Sequence, residues 1–342
     1  MAHEISTVSG EAEVFTAHQR PWHGLGVTVP DSVKSSEAIK LARLDWLVEQ
    51  APVYIKDRSG NVIELKNDVA NVRYTPEGQP VHLGTVSKQY KPIQNIEAFD
   101  FFDSVVGDKL AIYETAGAIR DGKRVFITAK LPGDLVIQTP GGEDPVEKYL
   151  LFVNGHDGLF GCRMFFSPIR VVCSNTLRAA LGGADQNEGI FIRHKGDVQA
   201  KVEEAVRILG IANKHYQDLG LLFNHFCKIS FNEVAATEYF EKVFPVDEGT
   251  TDRKQRGVRT RQEACMNNFL HGRGSELSKN TLWGAYNAVT EFADHSRYDL
   301  RKARAEHSRF ESVLFGDSHQ IKGRALNLAV KISEADKLLA TV

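Results

Sequence analysis

The stretch from Tyr149 to Leu181, YLLFVNGHDGLFGCRMFFSPIRVVCSNTLRAAL, constrains the fold of this chain more than any other. Tyr149 to Val153 is a continuous apolar run and reads as a buried strand. It stops at Asn154-Gly155-His156-Asp157-Gly158, where glycine and aspartate accept the positive φ angles of a tight reversal. The apolar run resumes at Cys162 and is broken at Ser167-Pro168. Ser174 or Asn175 then offers a cap for a short helix over Thr176 to Leu181. The segment therefore predicts a central strand pair followed by a helix. Arg163, Arg170 and Arg178 punctuate it. A buried guanidinium is costly unless paired, so these arginines are expected at a site, an ion pair or an interface, or at the strand rims.

The rest of the chain divides near Asp197. Before it, Ser35 or Ser36 caps a helix through Leu44, and Asn95 caps an amphipathic one carrying Ile96, Phe99, Phe102 and Val106. Strand patterns cover Trp46 to Lys56, Val62 to Lys66, Val69 to Thr75 and Val81 to Ser87, and the intervening turn residues mark an antiparallel meander. Asp121-Gly122 predicts a hairpin between Ala111–Arg120 and Lys123–Leu131. Another strand is expected at Leu135 to Gln138, and a short one at Phe191 to His194. Beyond Asp197 the periodicity is helical: Val198 to Ile229, Asn232 to Phe244, Arg261 to Leu270, Thr281 to His295 behind an Asn280 cap, and Ile321 to Leu339. Gly249 to Thr260 reads as a polar, basic link. The expected class is α+β, with a mixed sheet body over residues 1–197 and an all-helical lobe over 198–342.

At 342 residues the chain is long for one hydrophobic core, which supports that division. The formal net charge of −2 gives no global attraction to nucleic acid, so such a partner needs a local basic surface. Cys162, Cys173, Cys227 and Cys265 form no CxxC pair and read as reduced, buried thiols. The first residues lack the basic and apolar segments of a signal peptide, and no apolar run reaches the ~18 residues of a membrane span. The expectation is a cytoplasmic protein without a membrane partner.

Catalytic motifs are sparse. The twelve histidines form no HxH, HxxxH or HExxH pattern, and neither a P-loop, a GxSxG elbow nor a dinucleotide fingerprint occurs. Asp57, Glu64 and Lys66 satisfy a loose D…ExK nuclease spacing in which Glu64 and Lys66 share one face of a strand. The same residues equally suit the solvated face of a hairpin. Cys173 lies in an apolar run, where its thiol pKa rises and its reactivity falls. What stands out is local basic charge. Arg253, Lys254, Arg256, Arg259 and Arg261 fall within nine residues, and Arg297, Arg301, Lys302, Arg304 and Arg309 form a second cluster. In the body, Lys88, Lys91, Lys123, Arg124, Arg193 and Lys195 fall at turns or strand ends, with Tyr90, Phe165 and Phe166 nearby. Single-strand binders combine such cations with aromatic platforms, each stacked base contributing ~1–3 kcal/mol.

PWHGLG, YKPIQNIEAFDFFD, NGHDG, SPIRVVCSNTL and TLWGAYNAVTEFADH, spread from Pro21 to His295, resemble a family of uncharacterised phage- and plasmid-encoded proteins of unknown function. The resemblance implies a mobile-element context and carries no catalytic residues. More remotely, the order of helix, meander, packed helix and further strands is similar to the core of single-strand annealing recombinases such as phage Red beta and RecT. That resemblance implies ATP-independent pairing of DNA strands by rings or filaments. The expectation is thus a non-enzymatic single-stranded DNA-binding and annealing protein, acting as a homo-oligomer in recombination or replication and needing no cofactor. Its DNA contacts are expected among Lys88, Lys91, Lys123, Arg124, Arg163, Arg170, Arg178, Arg193, Lys195, Arg253, Lys254 and Arg256. Two alternatives stand: a metal-dependent nuclease using Asp57, Glu64 and Lys66, and a module that docks on a host protein without binding nucleic acid.

Overall fold

The computed structural model describes residues 5–17, 25–30, 33–106, 112–159, 161–170, 175–176, 190–191, 198–246, 249, 251–297, 312 and 316–339. It is an α+β protein, with its sheets in the N-terminal region and helices filling the C-terminal half.

The central strands behave as their apolar runs require. Strand β9 (Gly142–Gly155) pairs antiparallel with β7 (Arg124–Lys130) on one side and β10 (Arg163–Arg170) on the other. Leu150 and Phe152 point into the main core, whereas Leu151 and Val153 join a smaller cluster with Ile5, Val14 and Phe126 on the opposite face. Both faces of β9 are thus covered, which explains a run without polar alternation. The sheet extends through β6 (Ile112–Ile119) to β1 (Val14–Ala17) and β2 (Val27–Val29). Strand β8 (Leu135–Thr139) also pairs with β9, and β12 (Ile190–Phe191) with β10. Among the described residues only the β1–β2 pairing is parallel.

The β6–β7 hairpin turns at Arg120–Gly122, where Arg120, Asp121 and Gly122 all take positive φ, as the Asp-Gly signal predicts. A second sheet has three strands: β3 (Glu49–Lys56), β4 (Val62–Tyr74) and β5 (Pro80–Ser87). The two strands expected at Val62–Lys66 and Val69–Thr75 are one, because the backbone stays extended through an irregular stretch of the β3–β4 register and Asp68 already pairs with Ser87 of β5. Strand β5 pairs only with Asp68 to Tyr74, so β4 from Val62 to Asn67 stands with β3 alone as a two-stranded ribbon.

Helices α1 (Ser35–Leu41), α2 (Asn95–Val106) and α3 (Val198–Lys228) pack on the main sheet. The lobe then adds α4 (Glu233–Val243), α5 (Asp252–His271), α6 (Leu282–Glu291) and α7 (Asp317–Leu339). Helix α6 is buried at all ten positions, and its polar Asn287 and Thr290 donate to the Trp283 and Asn287 carbonyls of the helix itself. Trp283 packs at a tilt against Phe223 of α3, ring centres 4.7 Å apart, and donates from Nε1 to Asp144 Oδ2 of β9 at 2.9 Å. Tyr216 of α3 donates to the Tyr149 carbonyl at 2.6 Å. One continuous apolar core therefore runs from the sheet into the lobe.

Three local expectations are corrected. Asn175 and Thr176 do not open a helix; they form β11, paired with Ile169 and Arg170. Residues 177–181 of that expected helix lie outside the described residues. The basic stretch after Thr251 is not a link but the first turns of α5. The cap of α6 is Thr281, whose hydroxyl accepts from the Gly284 N–H at 3.1 Å, while Asn280 takes positive φ before it.

Candidate nucleic-acid interface

Helix α5 starts without an apolar face. Its buried stripe begins only at Val258 and continues through Gln262, Cys265 and Phe269, so its first turns carry no apolar signal. Gln262 ties it to the end of α4, donating to the Phe244 carbonyl at 2.9 Å. Two cations, Arg253 and Lys254, lie in the first turn, where the helix dipole disfavours positive charge. Among the described residues neither makes an ion pair or hydrogen bond, and both are exposed. They border a cavity of about 770 Å³ between the α4–α5 connection, α5 and α7. Arg261 and Arg324 complete its basic lining, Phe244, Pro245 and Val258 supply apolar wall, and no carboxylate lines it among the described residues. This concavity concentrates positive potential and suits a polyanion.

The other expected contacts are scattered. Arg256 is exposed on α5. Lys88 and Lys91 are exposed just beyond β5, where the half-buried Tyr90 directs its hydroxyl to the Gly155 carbonyl at 3.4 Å. Lys123 lies half-buried beside His82, Arg120, Asp121 and Asp157, around a shallow cavity of about 590 Å³. Arg124 sits 3.8 Å from the Asp157 carboxylate and is only 14% exposed, so part of its charge is spent inside the protein. Arg163 opens β10 and is half-buried, and the Arg170 backbone pairs with Val146 and Asn175. Arg178, Arg193 and Lys195 lie outside the described residues. Phe166 is no base platform: it is 8% exposed and stacked on His215 at 4.8 Å.

Of the nuclease residues, Asp57 is occupied locally. Its carboxylate accepts from the N–H groups of Ser59 and Asn61 and from the Asn61 side chain, and these bonds hold its pKa below the usual carboxylate value. Glu64 stands opposite Tyr54 on the exposed ribbon, and Lys66 follows it there. Among the described residues no group of three or more His, Cys, Asp or Glu side chains is arranged to hold a metal ion. Cys162, Cys227 and Cys265 are buried and form no disulfide among the described residues, and burial pushes the Cys162 thiol up, away from nucleophilic use. Cys173 lies outside the described residues.

The sequence does not reveal a buried polar cluster of the body. Arg73 of β4, 1% exposed, forms a two-pronged ion pair with the fully buried Glu13, with Nη1 2.8 Å from Oε2. Its guanidinium lies 4.0 Å from the centre of the Trp46 ring, which meets His156 edge-on. Asn95 donates its amide to the Leu44 carbonyl, so its oxygen accepts from His156 Nε2 at 2.9 Å and assigns the proton to that nitrogen. Burial, with Arg73 adding to it, lowers the His156 pKa to about 3. Asn71 closes the cluster by donating to the His156 carbonyl. These contacts fasten the small sheet to the large one. A partner 60 residues away leaves no local pattern for a sequence reading to find.

Taken together, the molecule is an α+β protein with a basic concavity on its helical lobe and no metal-capable or nucleophilic constellation among its described residues. The family comparison gives that class a place: residues 82–314 match the domain of unknown function DUF932, and the chain belongs to that family. No curated protein and no solved structure matches it. No helix among the described residues is long and apolar enough to cross a membrane.

Proposed function

We propose that the protein binds single-stranded DNA in the concavity between α5 and α7 and promotes pairing with a complementary strand without ATP. It does so as a homo-oligomer, in the recombination or replication of a phage or other mobile element. The observation that supports this reading most directly is the convergence of Arg253, Lys254, Arg261 and Arg324 on one cavity without a lining carboxylate among the described residues. Cations so placed neutralise consecutive phosphates, while the exposed Pro245 and half-buried Val258 offer apolar contact to bases. Lys88 and Lys91 extend the basic surface on the body.

Fluorescence anisotropy of a labelled oligonucleotide across a salt series tests the binding step. Three neutralised phosphates, at Arg253, Lys254 and Arg324, predict a slope of about −2 in log affinity against log salt, at ~0.7 per phosphate on single strands. Absence of binding at low salt overturns the proposal. A strand-pairing assay with two quenched complementary oligonucleotides, run without nucleotide, tests annealing separately.

A further inference from the structure

The β3–β4 ribbon has more apolar surface than a free hairpin tolerates. Over Val62 to Asn67 it has only two strands, and no third strand pairs with it there among the described residues. Tyr54 is 56% exposed, Ile55 46%, Val62 63% and Ile63 46%. Ile55 and Ile63 are cross-strand partners, so their side chains share one face, with Val53 and Leu65 beside them. Isolated two-stranded ribbons are marginal in water, and large exposed apolar patches mark contact surfaces.

A second feature matches it. Between α1, α2 and the segment entering β3 lies an apolar notch of about 240 Å³, walled by Ile39 and Phe99, with Leu47 (60% exposed) and Ile96 (57% exposed) at its mouth. That volume accommodates two aliphatic side chains. The charges are opposed as well. Asp45 and Asp100 against Lys40 leave the notch acidic. Lys56, Arg58 and Lys66 against Asp57 and Glu64 leave the ribbon basic, and Asp57 is already engaged within the turn.

The ribbon cannot fill the notch of its own chain. Leu47 lies two residues before β3, and Gln94 holds Val48 through bonds to both its N–H and its carbonyl at 2.9 Å. From Glu49, six residues of extended strand at ~3.3 Å each carry Ile55 about 20 Å away. We infer that the ribbon of one copy of this chain inserts Ile55 and Ile63 into the notch between α1 and α2 of a second copy. The two surfaces differ, so the contact is heterologous, and each copy retains one free ribbon or notch until a ring closes or a filament grows. The inference deepens the homo-oligomeric part of the proposed function and is independent of the DNA groove.

Sedimentation of the full chain over a concentration series tests it. The wild type is expected to exceed the mass of one 38.1 kDa chain. Both the ribbon variant Ile55→Lys/Ile63→Lys and the notch variant Leu47→Asp are expected to sediment as monomers. Mixed in equal amounts, they retain one intact ribbon and one intact notch between them, and the expected product is a two-chain species that grows no further. A milder ribbon pair, Ile55→Thr/Ile63→Thr, replaces the lysine variant should circular dichroism show that one unfolded. A monomeric wild type, a ribbon variant that still assembles, or mixed variants that stay monomeric each overturns the inference. A protein that binds single-stranded DNA yet remains monomeric defeats this contact alone, whereas an assembling protein without DNA affinity defeats only the groove.

Discussion

Arg73 in the body and Arg253 in the lobe carry the same guanidinium to opposite ends. Arg73 is enclosed by Glu13 and Trp46, and its charge is consumed in joining two sheets. Arg253 stands at the mouth of a cavity beside Lys254, with no partner among the described residues. Desolvating an ion is so costly that a buried one is matched in place, whereas an exposed one keeps its field available to a ligand. The contrast separates cations that hold the fold from cations that serve a surface, a distinction net charge alone conceals.

The largest effect is expected where the buried pair is broken. Glu13→Ala strands the Arg73 charge and should cost ~3–5 kcal/mol in denaturant unfolding, whereas Glu13→Leu with Arg73→Met should recover much of the loss. If Glu13→Ala costs under 1 kcal/mol, the two classes of arginine collapse into one. In the lobe, Arg253→Glu with Lys254→Glu should leave thermal unfolding nearly unchanged and lower single-stranded DNA affinity about 100-fold at low salt. Equal affinity for variant and wild type would remove the groove from the binding surface.

The body should also respond to acid in a way the groove does not. The His156 pKa of about 3 in the folded protein lies below the ordinary 6.5, so the unfolded chain takes up the proton first. Stability is fully retained above pH 6.5 and is lost as the pH falls toward 3, by about 2 kcal/mol between pH 6.5 and 5. His215, lowered to about 4 by burial, acts in the same direction. Unfolding of His156→Gln at pH 7 and pH 5 should therefore show a shallower but still positive dependence. A slope identical to wild type would mean that His156 takes up its proton as readily in the folded protein as in the unfolded chain. The smallest effect compares two helix starts. Thr281→Ala removes a formed cap and should cost ~1 kcal/mol, while Thr251→Ala at α5, which has no side-chain cap bond, should cost under ~0.5.

The sequence was most readable where one local signal sufficed. Asp121-Gly122 announced its hairpin, the apolar run at Tyr149 announced β9, and Asn232 marked α4, whose Ala235 N–H it accepts at 2.9 Å. It was least readable where order depends on distant partners. The two short strands at Val14 and Val27 owe their pairing to β6 and to each other, and Asn175-Thr176 is a strand only because β10 lies beside it. Helix α5 was hidden because its polar first turns face the groove that makes them interesting. Arg253, Lys254 and Arg256 were found as a charge cluster, but Arg324, supplied by another helix, was not. Phe166 looked like a stacking platform because its aromatic character is legible and its burial under α3 is not.

The bond between Trp283 and Asp144 joins residues 139 positions apart. At ~5–20 residues per second, a ribosome needs on the order of 10 s to add that much chain. Throughout that interval the Asp144 carboxylate of β9 lacks the indole N–H from which it accepts in the finished protein. Birth is therefore the most vulnerable period of this molecule, and chaperones have the most to protect while the body waits for its lobe.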